Sequence, residues 1–411
     1  MYRENEEQLN QTCWGVWNGP MYHRISMVHW AIYYMLIWLM LLTGCGRQDK
    51  ENLFSEFRLE QRNLLISKQL HFDRSMDLAY AKEFAVDYDK QGYALVTVAD
   101  GSQYLIVPQD QEVPEDLQEG VVVVKQPLTN IYLVASAAMD MVCELDALPS
   151  IRFSGQKPDG WYIEEARQAM ERGDLIYAGK YSMPDYELIV SEGCSLAIEN
   201  NMISHSPEVI EKLQSFGIPV FVDLSSYEEH PLGRVEWIKF YGLLFQKEKE
   251  AEEMFLAQEK ILDQILQDVP SKKTVAFFYI TTNGSVNVRR SSDYVPKMIE
   301  LAGGIYLPEY PDSEQSNRST MNMQMEEFYK VAKDADYLIY NSTIDGELDS
   351  VSTLLQKERM LQDFKAVQNG NVWCTKKDMY QQSMSAGKMM EDLHAVLSGK
   401  TEGMHYLYLL K

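Results

Sequence analysis

The 411-residue sequence lacks the short motifs that mark the common catalytic and nucleotide-binding sites. It contains no GxSxG nucleophile elbow, no phosphate-binding P-loop, no GxGxxG dinucleotide turn and no HExxH zinc helix. Each of these reaction classes needs its residues at a fixed spacing, so their absence argues against those chemistries. The sequence therefore does not predict an enzyme.

Basic residues and paired cysteines are also scarce. The chain has 61 acidic and 38 basic residues, a net charge of −23, and phosphate binding needs a basic surface, so nucleic acid is not an expected partner. The five cysteines form no CxxC pair, which argues against a redox motif and a four-cysteine zinc site. The seven histidines are dispersed, so neither a resident cofactor nor a metal site of the protein itself is predicted.

One long hydrophobic run is present, from Met27 to Leu42, and it contains no charged residue. Its length fits both a signal-peptide core and a short membrane span. The run is followed by LTGC, with small Thr43 and Gly44 before Cys45, and then by a polar stretch. This pattern resembles the lipobox of bacterial lipoproteins, which implies lipidation at Cys45 and anchoring at the outer face of the cytoplasmic membrane. A membrane span that ends in Gly-Cys is the alternative.

The segments around this cysteine have separate expected roles. Residues 1–44 are predicted to be a signal peptide, and residues 45–76 the lipidated cysteine and a polar tether. Residues 1–20 are acidic where an export signal is normally basic, which suggests that translation starts later, at Met21.

The remaining sequence predicts an α/β fold. EFAVDY and YALVTVA, with YLIVP after an Asp100-Gly101 turn, alternate as antiparallel strands do. From about Asn130, short apolar runs alternate with helical segments, and a second such series begins at Thr274. Between the two series, KEKEAEEMFLAQEKILDQILQDV has apolar residues at helical spacing.

We therefore predict two α/β lobes with central, mostly parallel sheets joined by one long interlobe helix, preceded by a short β-hairpin-containing region. The predicted boundaries are residues 77–233 for lobe 1, 234–270 for the interlobe helical segment and 271–411 for lobe 2. Ligands bind such folds at the carboxyl ends of the strands, so the cleft between the lobes is the expected site.

A resemblance to a known family follows from one stretch. GIPVFVDLSSYEEHPLGRVEWIKFYGLLF, followed by KEKEAEEMF, resembles substrate-binding proteins of metal-chelate ABC importers, which carry cobalamin, haem or ferric siderophores. The resemblance implies a monomer that captures a chelate between its lobes and delivers it to an ABC permease. The alternatives are a lipid-anchored structural or interaction protein and a lipoprotein enzyme with an α/β fold.

The resemblance also implies that one glutamate in each lobe docks on the permease. Glu187 lies seven residues before Cys194-Ser195, at the family's spacing. In lobe 2, Glu326 and Glu327 precede Ala335-Asp336 one residue out of register with the commonest spacing, and Glu327 is preferred.

Candidate ligand contacts follow from the expected strand ends. They are Lys180, Tyr181, Asn201, Met202, Ser226 and Tyr227 in lobe 1, and Thr282, Asn283 and Arg289 in lobe 2. Tyrosines offer flat contact area, whereas Lys180, Arg289 and also Arg234 offer partners for carboxylates. His205 and His230 lie in successive loops at the same edge, where they either contact ligand or cap the local backbone.

Overall fold

The computed structural model describes residues 65–309 and 319–411, which belong to one compact unit that begins at Gln61. The predictions for the signal peptide, the start of translation and Cys45 lie outside the described residues. Within the described ranges, no helix is both long enough and apolar enough to cross a membrane.

A five-stranded sheet comes first, with the strand order β1-β2-β3-β4-β5. Its strands are β1 Phe72–Ser75, β2 Phe84–Asp89, β3 Ala94–Val98, β4 Gln103–Val107 and β5 Val122–Lys125. Neighbours are antiparallel except β4 and β5, and the predicted Asp100-Gly101 turn joins β3 to β4, with Gly101 at φ +91°. Ile66 and Leu70 are buried against this sheet, so folded structure extends into the segment assigned to the tether.

Lobe 1 is built on a parallel sheet with the order β12-β11-β6-β7-β8. Its strands are β6 Ile131–Leu133, β7 Ile151–Ser154, β8 Ile176–Tyr177, β11 Ala197–Asn200 and β12 Val220–Asp223, with a small hairpin of β9 Gly179–Lys180 and β10 Met183–Pro184. Its helices are α1 Ser136–Glu144, α2 Glu164–Arg172, α3 Tyr186–Ser191 and α4 Pro207–Ser215.

Two consecutive helices link the lobes. Helix α5, Pro231–Phe245, is buried on nearly all sides, whereas α6, Glu248–Leu266, has one buried face and is the predicted long helix. Gln246 adopts a left-handed conformation, φ +60°, which ends α5 and lets the chain turn back. Gly242 permits the close approach of the two helices, because a β-carbon there would lie 2.6 Å from the Ala251 β-carbon.

Lobe 2 contains a mixed sheet with the order β16-β14-β13-β17-β18-β19, and β15 also pairs with β13. Its strands are β13 Thr274–Ile280, β14 Val286–Arg289, β15 Ile305–Leu307, β16 Thr320–Met323, β17 Tyr337–Tyr340, β18 Val372–Thr375 and β19 Leu407–Leu409. Its helices are α7 Tyr294–Leu301, α8 Met325–Ala332, α9 Ser342–Asp345, α10 Val351–Lys357, α11 Lys365–Gln368 and α12 Ala386–Ser398. The central pairs among β13, β15, β17 and β18 are parallel, and β14, β16 and β19 are antiparallel additions.

The fold class is therefore the predicted one, with two α/β lobes and an interlobe helix. The N-terminal sheet is larger than the predicted hairpin because β1 and β5 are short and carry little alternation. One large apolar cluster contains residues of this sheet, of lobe 1, of α5 and α6 and of lobe 2.

Two buried carboxylates fasten the N-terminal sheet to α5. Glu236 accepts hydrogen bonds from the backbone N–H groups of Ala79, Tyr80 and Ala81, each at 2.8 Å, and forms an ion pair with Lys239 at 3.2 Å. Glu228 accepts hydrogen bonds from the backbone N–H groups of Lys82 and Glu83. It also accepts one from the Trp237 indole at 3.0 Å. These contacts place Glu236 and Trp237, both of which are fully buried, in the packing of α5 against the N-terminal sheet.

Candidate functional site

A short segment between β18 and α12 holds lobe 2 against lobe 1. The Gln381 side chain accepts a hydrogen bond from the N–H of Tyr162 at 2.8 Å and donates one to the carbonyl of Gly160 at 2.7 Å. The Ser383 hydroxyl donates to the carbonyl of Ala137. The Met384 N–H donates to the Asp140 carboxylate at 2.8 Å. We call residues 381–384 the interlobe segment, because these four hydrogen bonds cross from lobe 2 to lobe 1.

A pocket that is partly open to solvent lies beside the interlobe segment. Its lining residues are Arg234, Tyr294, Met298, Met379, Tyr380, Gln382, Ser383, Ser385, Ala386, Met389 and Tyr406. Arg234 comes from α5, and the other lining residues come from lobe 2, including the interlobe segment. The pocket therefore lies where lobe 2 meets α5.

Two arginine–tyrosine stacks organise one side of the pocket. The Arg234 guanidinium lies 4.1 Å from the centre of the Tyr294 ring and donates to the carbonyl of Ser226 at 3.1 Å. The Arg289 guanidinium lies 4.8 Å from the Tyr380 ring centre and pairs with Asp293 at 3.3 Å. Burial raises the pKa of Tyr294, and the positive charges of Arg234 and Arg289 oppose that rise. This wall can hold an anion beside aromatic surface.

A family model described as periplasmic binding protein matches residues 156–379, which is more than half of the chain. The chain belongs to the periplasmic binding protein family. Proteins of this kind act outside the cytoplasm, bind small molecules and work with ABC permeases. The chain therefore has a solute-binding role and not an enzymatic one.

Two similar proteins are lipoproteins of Methanocaldococcus jannaschii, both described as uncharacterized. One is 26% identical over 389 residues, covering 87% of this chain and 89% of its own length. The other is 26% identical over 349 residues, covering 81% of this chain and 86% of its own length.

Solved structures share the fold at lower identity. The periplasmic haem-binding protein of Vibrio cholerae has a TM-score of 0.53 at 17% identity, and the match covers 64% of this chain and 98% of that one. A periplasmic binding protein from Veillonella parvula has a TM-score of 0.52 at 18% identity, covering 65% of this chain and 91% of its own. At these identities the likeness shows the fold alone.

None of the nine sequence-predicted ligand residues lines the pocket. Lys180 ends β9, Tyr181 follows it, and Asn201 and Met202 begin the turn after β11. Ser226 and Tyr227 lie in the turn after β12, and Thr282 and Asn283 form the exposed β13–β14 turn. Ser226 and Arg289 touch lining residues: the Ser226 carbonyl accepts a hydrogen bond from Arg234, and the Arg289 guanidinium stacks on the ring of Tyr380. For the other seven, a ligand contact stays a prediction.

The sequence reasoning missed most lining residues because it considered only strand ends. Tyr294 and Ala386 are the first residues of α7 and α12, and Tyr406 immediately precedes β19. The Asp293 side chain accepts from the Val295 N–H, and this helix-capping signal was visible in the sequence. No local sequence pattern pointed to Tyr406, which lines the pocket because the chain near the C-terminus returns to pair with β18 as β19.

The two loop histidines have separate environments. His230 caps α5, since its Nδ1 accepts from the Leu232 N–H at 3.2 Å, and its ring stacks on Tyr80 with centroids 4.5 Å apart. Burial lowers the pKa of His230 to about 4, and Lys297 and Lys82 act in the same direction. His205 is exposed at the end of the turn after β11. In the described part of the chain, no three His, Cys, Asp or Glu side chains group as metal ligands.

The two predicted docking glutamates occupy equivalent positions in the lobes. Glu187 is exposed in the first turn of α3, ten residues before the start of β11. Glu327 is exposed in the first turn of α8, ten residues before the start of β17. Glu326 is one residue further from β17, so the equal spacing favours Glu327.

The interlobe contact at Asp140 makes stability depend on pH. Burial raises the pKa of Asp140 to about 7; the Met384 N–H opposes this rise, Glu144 and Glu165 add to it, and Lys388 opposes it. Between about pH 4 and pH 7, the Asp140 carboxyl is protonated in the folded protein but ionised in the unfolded chain. The stabilisation is therefore complete below about pH 4 and is lost as the pH rises towards 7.

Asp140→Asn should remove this dependence, because the amide oxygen still accepts from Met384 but does not ionise. We expect the unfolding free energy of the variant, relative to that of the wild type, to be about 1–3 kcal/mol higher at pH 8 than at pH 4.5. Urea unfolding at both values measures this difference. The exposed Asp363→Asn is the matched control and should show no such gain. Parallel pH profiles for wild type and Asp140→Asn would contradict the prediction.

Proposed function

We propose that this chain captures a metal chelate between its two lobes and delivers it to an ABC permease. It does so from the outer face of the cytoplasmic membrane, held there by a lipid on Cys45. The observation that carries this proposal is the pocket between lobe 2 and α5, beside the interlobe segment, with its stacked Arg234 and Tyr294. Its tyrosines and methionines suit the large apolar surface of a chelate.

The similar proteins also support the proposed function. The structural relative from Vibrio cholerae is titled as a haem-binding protein, and another from Pseudomonas aeruginosa, with a TM-score of 0.51, is titled as a periplasmic haem-binding protein. The relatives from Methanocaldococcus jannaschii are named lipoproteins, which supports the lipid anchor on Cys45. Glu187 and Glu327 supply one exposed carboxylate per lobe for contact with the permease.

A ligand panel tests the proposal. The full chain in detergent is heated with haem, cobalamin or several ferric siderophores, and with each siderophore lacking iron as a matched control. A ligand that binds only the folded state, present at about 100 times its Kd, adds about 2.7 kcal/mol to stability. We expect a rise in Tm on the order of 5 °C for one class of chelate and a smaller rise without the metal. No shift with any chelate would favour a structural or interaction role instead.

A further inference from the structure

The charge in the pocket is opposite to that of the protein. The whole chain carries −23, with acidic residues well in excess. Among the described side chains that line the pocket, the single charged one is Arg234. An acidic protein that leaves one cation in its pocket attracts anions there while its remaining surface repels them.

Arg234 forms no ion pair with a carboxylate of the described residues, although its charge opposes the rise that burial causes in the pKa of Asp223. The ion pairs found in residues 65–309 and 319–411 include Arg289 with Asp293 but none with Arg234. Its guanidinium stacks on Tyr294 and donates to one carbonyl, that of Ser226. A guanidinium has five N–H donors in a planar fork that fits a carboxylate or another planar anion. Arg234, and not the predicted Arg289, is therefore the cation available to a ligand.

Three helices begin at this pocket and add to its positive potential. Arg234 is the fourth residue of α5, Tyr294 is the first residue of α7, and Ala386 is the first residue of α12. Ser385, the residue before α12, also lines the pocket, and its side chain makes no capping hydrogen bond. Helix N-termini carry a partial positive charge, which here reinforces the full charge of Arg234.

The rest of the lining is aromatic or apolar. Three tyrosines and three methionines contribute to it: Tyr294, Tyr380, Tyr406, Met298, Met379 and Met389. Tyrosine rings offer flat faces, and methionine adapts its shape to an irregular partner. These side chains therefore offer apolar and aromatic surface to a flat or aryl-bearing body beside the cation.

We propose that the pocket selects anionic chelates, and that Arg234 is the residue that recognises their negative charge. This inference rests on the proposed function and names its ligand class. The shared chemistry is an anionic group on an apolar or aromatic body. Two sources supply it, a porphyrin with carboxylates and a ferric complex of aromatic catecholates.

Matched ligand pairs test the inference on the full chain in detergent. Haem is compared with haem dimethyl ester, which keeps the ring and iron but loses the carboxylate charges. A ferric tris-catecholate is compared with a neutral ferric trihydroxamate. We expect the anionic member of at least one pair to bind at least about tenfold more tightly than its neutral partner. The pair that responds identifies the source.

Variants of Arg234 test the residue itself. Arg234→Gln should weaken binding of the anionic chelate by about tenfold or more and leave the neutral one nearly unchanged. Arg234→Lys, which keeps the charge but loses the planar fork, should give an intermediate Kd. Arg167→Gln is the matched control, because Arg167 is exposed on α2 and pairs with Glu164; it should bind like the wild type. The Tm of each unliganded variant shows whether it folds.

Several results would overturn the inference. Chelates that bind without regard to charge, or an anionic chelate that binds equally well to folded Arg234→Gln, would show that Arg234 does not select charge. If Arg234→Gln does not fold, the salt dependence of wild-type Kd decides, because an affinity for the anion that stays constant between low and high salt contradicts the inference. If no chelate of any charge binds, the proposed function is wrong and the inference falls with it.

Discussion

Replacing Glu236 with alanine is expected to lower the free energy of unfolding by about 4 kcal/mol, because it leaves buried donors without an acceptor. The Glu236 carboxylate is fully buried and accepts from three consecutive backbone N–H groups, those of Ala79, Tyr80 and Ala81. Those N–H groups lose their acceptor in the variant. The buried ammonium of Lys239 loses one of its two carboxylate partners and keeps Glu252, which adds a smaller loss.

Urea unfolding followed by tryptophan fluorescence measures the loss, and Glu252→Ala is the matched control. Glu252 also pairs with Lys239, at 3.0 Å, but is half-exposed. Its removal should cost less than about 1 kcal/mol, as for other surface ion pairs. A loss in Glu236→Ala no greater than that in Glu252→Ala would show that the N-terminal sheet is held to α5 by apolar packing alone.

Reversing the charge at both Glu187 and Glu327 is expected to abolish chelate uptake while leaving the Kd for the chelate unchanged. Both side chains are exposed in the first turn of a helix, one in each lobe, and each precedes a central parallel strand by ten residues. They are the residues that our docking proposal places against the permease. The double reversal would remove two charge-assisted contacts and add two like-charge contacts. Together these would weaken the free energy of docking on the permease by several kcal/mol.

Uptake of a radiolabelled chelate by cells that carry only the variant measures the effect, with ligand binding to the purified protein measured in parallel. Glu326→Arg is the matched control, because it places the same charge on the same helix turn one residue away. We expect uptake to fall at least about tenfold for Glu327→Arg and much less for Glu326→Arg. Uptake that stays intact in the double reversal would show that these glutamates do not dock.

Much of the fold was predictable because its signals are local. Helix α6 has apolar residues at helical spacing, and the predicted strands from Ile131, Ser195 and Thr274 are apolar runs that lie where expected. The Asp100-Gly101 turn joins two alternating strands, as its composition indicated. The docking candidates were also visible, since their spacing to the next strand is a property of the chain alone.

The pocket was less predictable because it depends on contacts between distant segments. The strand-end argument led to Ser226 and Arg289, which touch lining residues of the pocket. It did not show that Thr282 and Asn283 form a tight antiparallel turn facing solvent. Arg234 was recognised as a possible anion partner, but its sequence position equally fitted packing at the lobe junction.

The sequence by itself determined the class of the protein: an acidic α/β chain with two lobes, one long interlobe helix and a cysteine that follows a hydrophobic run. Periodicity, turn residues and charge balance are properties of neighbouring residues, so they can be read without the fold. Only the tertiary structure decided which side chains line the pocket and which charges are neutralised. Arg234 meets the face of Tyr294 because α5 packs against lobe 2, whereas Arg289 pairs with Asp293 four residues further along the same lobe.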